Sequence, residues 1–106
     1  LEVNTSGDEN KKGFPPNLDD DFYSIFRLNN IKVDGLMTMG PLSQKENETR
    51  SAFALLRKIK TKINDQLPGE PIKELSMGMS GDFQIGIEEG STMIRLGTAI
   101  FGKRNY

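Results

Sequence analysis

Apolar residues recur along this chain with two spacings in turn, and the alternation predicts four strand-then-helix units. "LEVNTSG" opens as an alternating strand and breaks at Gly7. The loop "DENKKGFPPN" ends in Pro15, Pro16 and Asn17, a helix-start signal. Asp19, Asp20 and Asp21 then crowd the first turn, where the helix dipole favours acids. Leu18, Phe22, Ile25 and Phe26 make one apolar face of that helix. The second unit is the strand "IKVDGLMTMG", stopped at Gly40-Pro41, with a long helix over Lys45 to Gln66. Ala52, Leu55, Leu56, Ile59 and Ile63 fall on it at helical spacing. The third is "IKELSMGMSGD" followed by a short helix over Asp82 to Glu89, and the fourth is "STMIRLGTAIFG".

Strands alternating strictly with amphipathic helices predict parallel βαβ units and an α/β fold. Four parallel strands with helices on one side form an open, curved sheet with two bare edges. A closed (β/α)8 TIM barrel needs eight such units and typically about 250 residues, so 106 residues suit half a barrel. Residues 1–106 are therefore expected to be a single partial domain, and the start at Leu1 suggests a piece of a longer protein.

Charge and composition narrow the chemistry. A net charge of −1 gives no global field toward nucleic acid or an anionic membrane. No apolar run is long enough to cross a bilayer. Arg57, Lys58, Lys60 and Lys62 cluster on the long helix without interleaved aromatics and read as solvated surface. Cysteine is absent, which excludes disulfides and thiol catalysis and suits a reducing, cytoplasmic setting. Histidine is absent too, which removes the commonest general base and the usual zinc sets. No catalytic or metal-ligating residue is expected.

Two loops remain. In "SMGMSGD", Gly78 and Gly81 permit close backbone approach, and Ser80 stands at a helix-cap position. Ser80 either caps its own helix or presents its hydroxyl to an anion. In "IRLGTAIFG", alternation sets Ile94 and Leu96 toward the helices and Met93, Arg95 and Gly97 toward the interior. Gly97-Thr98 turns off the strand with two N–H groups and a hydroxyl, and "AIF" begins a helical turn. Barrel phosphate sites are commonly built from the loops after the last two strands plus a short extra helix. Arg95 also needs a partner, because leaving a buried guanidinium unpaired costs roughly 3–5 kcal/mol. An interior carboxylate would serve, but the inner strand faces offer few.

"LSMGMSGDF", "GSTMIRLGTAIFGKRNY", "VNTSGDENKKGF" and "VDGLMTMG" together resemble the pyridoxal 5′-phosphate (PLP) homeostasis proteins of the YggS/PROSC type. These have the barrel of the alanine racemase N-terminal domain, and the resemblance spans the whole chain as the C-terminal half of that barrel. It implies that Ser80, Gly97 and Thr98 hold the PLP phosphate and that Arg95 faces the pyridine nitrogen. A guanidinium is always a donor and disfavours protonation there, which weakens the ring as an electron sink. Asn4, Met37 and Met79 are further candidates to line the pocket. The family's Schiff-base lysine and its histidine-containing segment belong to sequence that would precede Leu1. Lys11 and Lys12 fall in a loop, while Lys32 and Lys73 fall at strand starts, the wrong end of a barrel. The racemases' second β-domain, which supplies a tyrosine, is not expected to have a counterpart within residues 1–106, and Tyr106 is a poor substitute.

The implied function is non-enzymatic PLP binding, as a homeostasis or carrier protein. The implied partners are PLP and either the missing N-terminal half of the barrel or a second copy. A PLP-dependent amino-acid racemase, a fragment that binds no PLP by itself, and a barrel for another phosphorylated metabolite are the alternatives.

Overall fold

A computed structural model of the chain describes residues 1–9 and 12–103. Its elements in order are helix α1 (Asp20–Ser24) with a 3₁₀ turn over Ile25–Arg27, strand β1 (Gly35–Met37), helix α2 (Glu46–Gln66), strand β2 (Glu74–Ser76), and helices α3 (Phe83–Glu88) and α4 (Thr98–Phe101). β1 and β2 pair in parallel, with Leu36 opposite Leu75. Single parallel bridges extend the order on both sides, Glu2 to Met37 and Met93 to Ser76. The described chain thus runs Leu1–Val3, β1, β2, Met93 in sequence order, all parallel, with α2 and α3 as crossovers. The predicted fourth strand is reduced to that bridge, flanked by backbone bonds from the Thr92 N–H to the Leu75 carbonyl and from the Arg95 N–H to the Gly78 carbonyl, both at 2.9 Å.

The long helix forms because its apolar positions make one continuous stripe. Ala52, Phe53, Leu56, Ile59 and Ile63 are buried, and they pack with Leu36, Leu75, Ile72 and Met77 into one core. Leu55 is only half-buried at the margin, whereas Phe53, one position off the predicted stripe, is fully enclosed. The end of α2 is tied to the next strand by Asn64, whose side-chain amide donates to the Ile72 carbonyl and accepts its N–H at 2.8 and 2.9 Å. That exchange satisfies a backbone residue ahead of its ladder.

Helix α1 corrects the expected start at Pro15–Asn17. It begins at Asp20, because Asp19 is the cap and its carboxylate accepts the Phe22 N–H at 3.0 Å. Of the expected face, Phe22 is buried and Ile25 and Phe26 fall in the 3₁₀ turn.

Helix α3 sits unusually close to the sheet. A Cβ on Gly86 would lie 2.5 Å from the Met77 carbonyl oxygen, so only glycine admits this approach. Across the outer surface, Glu89 receives Arg50 at 2.9 Å and Arg57 at 3.0 Å, and Arg57 also donates to the Glu89 carbonyl. Arg57 is therefore part of the tie between α2 and α3, not bare solvated surface. The hydrogen bond from Arg50 holds the Glu89 carboxyl below its ordinary pKa; burial pushes the other way, and Arg57 lowers it further.

Candidate functional site

The loops that follow β1 and β2 and the turn into α4 meet at one end of the sheet, around an open groove of about 1180 Å³. Met79, Ser80, Gly97, Thr98 and Phe101 line it. Gly78, which starts the second of these loops, has φ +112°, a conformation open to glycine, and its position also leaves room for Phe83 at the head of α3.

Ser80 does not cap its own helix. Asp82 holds the N-cap position of α3, and its carboxylate accepts the Met79 N–H at 2.7 Å. The Ser80 hydroxyl instead accepts the N–H groups of Gly97 and Ala99 at 3.1 and 3.0 Å. It thereby fastens the loop after β2 to the turn that opens α4, of which Gly97 is the cap and Thr98 the first residue. With both lone pairs engaged, the hydroxyl proton is left to donate. Both loops are exposed here. The groove also carries Glu46, Asp82 and Glu88 and no lysine or arginine among the described residues. Anion recognition in it would rest on neutral hydroxyl and N–H donors, not on a cation.

Arg95 does not line this groove. Its Nη2 donates to the Thr38 carbonyl, just beyond β1, at 3.2 Å, while Nε is buried with no partner among the described residues. The interior carboxylate considered from sequence is absent from this arrangement: Arg95 takes part in no ion pair among the described residues. Ile94 is half-buried, its Cγ2 3.4 Å from where a Cβ on Gly78 would stand, whereas Met93 is 52% exposed.

Of the further candidates, Met79 joins Ser80 in the groove, and Asn4 does not. The Asn4 amide is used within its own loop, donating to the Asp8 carbonyl at 2.9 Å and accepting the Gly7 N–H at 3.2 Å. Met37 is a β1 residue paired with Ser76 and Glu2 and is half-buried. Lys32 and Lys73 lie ahead of β1 and β2, at the end of the sheet opposite the groove. Lys12 is in the loop before α1, while Lys11 and Tyr106 fall outside the described residues.

Sequence reasoning missed Thr38. It is 1% exposed, its hydroxyl donates to the Val3 carbonyl at 2.7 Å, and it lies 2.8 Å from the Thr5 hydroxyl. A threonine inside an apolar strand reads as an ordinary strand former, so only the partners reveal it.

Parallel strands joined by helices, with a groove at the ends that follow the strands, define an α/β domain. The chain belongs to the family of the alanine racemase N-terminal domain, whose model matches residues 1–105. Its curated relatives include the pyridoxal phosphate homeostasis proteins of Aquifex aeolicus and Homo sapiens. The first is 41% identical over 107 residues, covering 100% of this chain and 46% of that protein. The second is 39% identical over 115 residues, covering 100% and 40%. Among solved structures, PipY of Synechococcus elongatus without PLP superposes with a TM-score of 0.87 at 37% identity, covering 96% of this chain and 48% of PipY. PipY with PLP bound gives 0.79 at 35% identity, covering 88% and 44%. The chain thus spans about half the length of the relatives it matches.

Proposed function

We propose that this chain carries the phosphate-holding and ring-facing parts of a PLP site, in a protein that binds PLP for homeostasis or delivery and does not catalyse with it. The observation that carries this reading is the convergence of Ser80, Gly97 and Thr98, through the Ser80 hydroxyl, on one groove. PLP bound there would supply an aldehyde and an electron-withdrawing ring. The residues present fit such a group. The Ser80 O–H and the Thr98 hydroxyl and N–H suit phosphate oxygens, and Arg95, off the groove lining with its Nε buried and unpartnered among the described residues, offers a donor of the kind a neutral ring nitrogen accepts. The names of the curated relatives and the PLP-bound PipY support the same ligand.

The finer architecture is part of the proposal. The parallel order Leu1–Val3, β1, β2, Met93 is read as the C-terminal half of an eight-stranded barrel, which the N-terminal half or a second copy would close. A covalent lysine would then come from that complementary half, since no described lysine lines the groove. A racemase-like enzyme finds less support, because the curated relatives are named as homeostasis proteins. A cytoplasmic location is part of the same proposal; among the described residues no helix is long and apolar enough to cross a membrane.

One observation favours a second reading, that the isolated chain binds no PLP until its open face is covered: Met93 stands 52% exposed beside Arg95. Parallel titrations of the chain with PLP and with a sugar phosphate test the proposal. Tighter binding of PLP supports it, equal affinities favour a general phosphate site, and no binding of either favours the second reading.

A further inference from the structure

The structure assigns Thr38 the role of a positioning residue for Arg95, an inference that deepens and rests on the PLP reading above. Its polar groups reach three separate segments. The N–H donates to the Ser76 carbonyl of β2 at 3.1 Å, the hydroxyl donates to the Val3 carbonyl at 2.7 Å, and the carbonyl accepts Arg95 Nη2 at 3.2 Å. A hydroxyl has one proton, and Thr38 gives it to Val3; the 2.8 Å contact with Thr5 must then run from the Thr5 hydroxyl to Thr38. A directed chain results, Thr5 to Thr38 to Val3, in which both threonines are buried, at 9% and 1% exposed. With its N–H and side chain held by the strands on either side, the Thr38 Cα is fixed in place and direction, and ψ of Thr38 is the one backbone rotation between it and the carbonyl. The carbonyl leaves that fixed Cα toward the guanidinium.

The consequence concerns Arg95, not stability alone. Among the described residues Arg95 has no carboxylate partner and its Nε has none of any kind, so the Thr38 carbonyl is the one hydrogen-bonding anchor of the guanidinium there. Anchoring through Nη2 leaves the buried Nε as the guanidinium donor still without an acceptor, the one that a ring nitrogen would have to reach. Loosening Thr38 frees the guanidinium to rotate and displaces that donor.

The test compares Thr38→Val, which keeps the shape and loses the hydroxyl, with Thr38→Ser, which keeps the hydroxyl, and with Thr5→Val. The first readout needs no ligand: solvent exchange of the Arg95 Nε–H proton by NMR. Exchange should be several-fold faster in Thr38→Val, near the parent rate in Thr38→Ser, and intermediate in Thr5→Val. The second is titration with PLP and, separately, with inorganic phosphate. Thr38→Val should lose roughly threefold to tenfold in PLP affinity, the size of one hydrogen bond, and nothing for phosphate. Unchanged Nε–H exchange in Thr38→Val, or equal acceleration in Thr38→Ser, overturns the positioning role. If the parent chain binds no PLP, the PLP reading fails for this chain, and the exchange rates alone decide the role of Thr38. Should Thr38→Val fail to fold, Thr5→Val against the parent decides by the same exchange measurement, and an unchanged rate overturns the role.

Discussion

The helix-covered side of the sheet and its loop end differ in closure. Beneath α2, Phe53, Leu56, Leu36, Leu75 and Met77 are each at most 1% exposed, and the backbone groups between them are paired. At the loop end, Leu42, Ile100 and Phe101 are 70%, 64% and 83% exposed, and the elements are only four to six residues long. The first region is one continuous apolar core. The second owes its shape to single polar contacts, chiefly the Ser80 hydroxyl and the Thr38 carbonyl. On the proposed reading stability and binding are carried by different residues, and substitutions should separate them.

The largest effect is expected at Leu56, which is completely enclosed in the core. Leu56→Ala should cost about 2–5 kcal/mol, the transfer loss plus a cavity, measured by urea denaturation. Next comes Gly86→Ala. The added methyl would meet the Met77 carbonyl, and the forced shift should cost about 1–3 kcal/mol by the same measurement. A cost near zero would mean that α3 is free to move off the sheet.

A smaller effect follows from the Glu89 tie. Because its pKa is lowered in the folded chain, the unfolded chain takes up the proton first as pH falls. The stabilisation is complete above the ordinary value of 4.5 and is lost as pH drops through the depressed folded value. Denaturation midpoints from neutral pH to pH near 3 should therefore fall for the parent chain and fall less steeply for Glu89→Gln. Ser80→Ala should have the smallest effect on stability, below about 1 kcal/mol, because its partners lie in exposed loops where water replaces the lost bonds. In the PLP titration the same substitution should cost roughly tenfold, which would sharpen the contrast between the two regions. A Ser80→Ala chain with its stability collapsed and its affinity intact would invert it.

The helical part of this contrast was legible in the sequence. The period of Ala52, Leu56, Ile59 and Ile63 gave α2 to within one residue, and Asp82 and Glu89 do bound α3 as its caps. Local signals suffice where an element's own spacing decides its buried face. The loop end was legible only as a set of candidates. Ser80, Gly97 and Thr98 were singled out, and they do meet, but Ser80 is held by N–H groups 17 and 19 residues away, not by its own helix. The partner of Arg95 lies 57 residues earlier in the chain and is a backbone carbonyl, which no residue type advertises. The start of α1 was misread for a simpler reason: Asp19 outcompetes the preceding Pro15–Asn17 segment as cap, and prolines fit a turn as well as a first helical residue.

The most direct test of the central claim is an ultraviolet-visible titration of this chain with PLP, followed by borohydride reduction and mass analysis, repeated with Ser80→Ala and Arg95→Gln. The account predicts saturable binding by the parent chain, no covalent adduct, and weaker binding by both variants. An adduct on a lysine of this chain, or PLP binding that neither substitution changes, would contradict it.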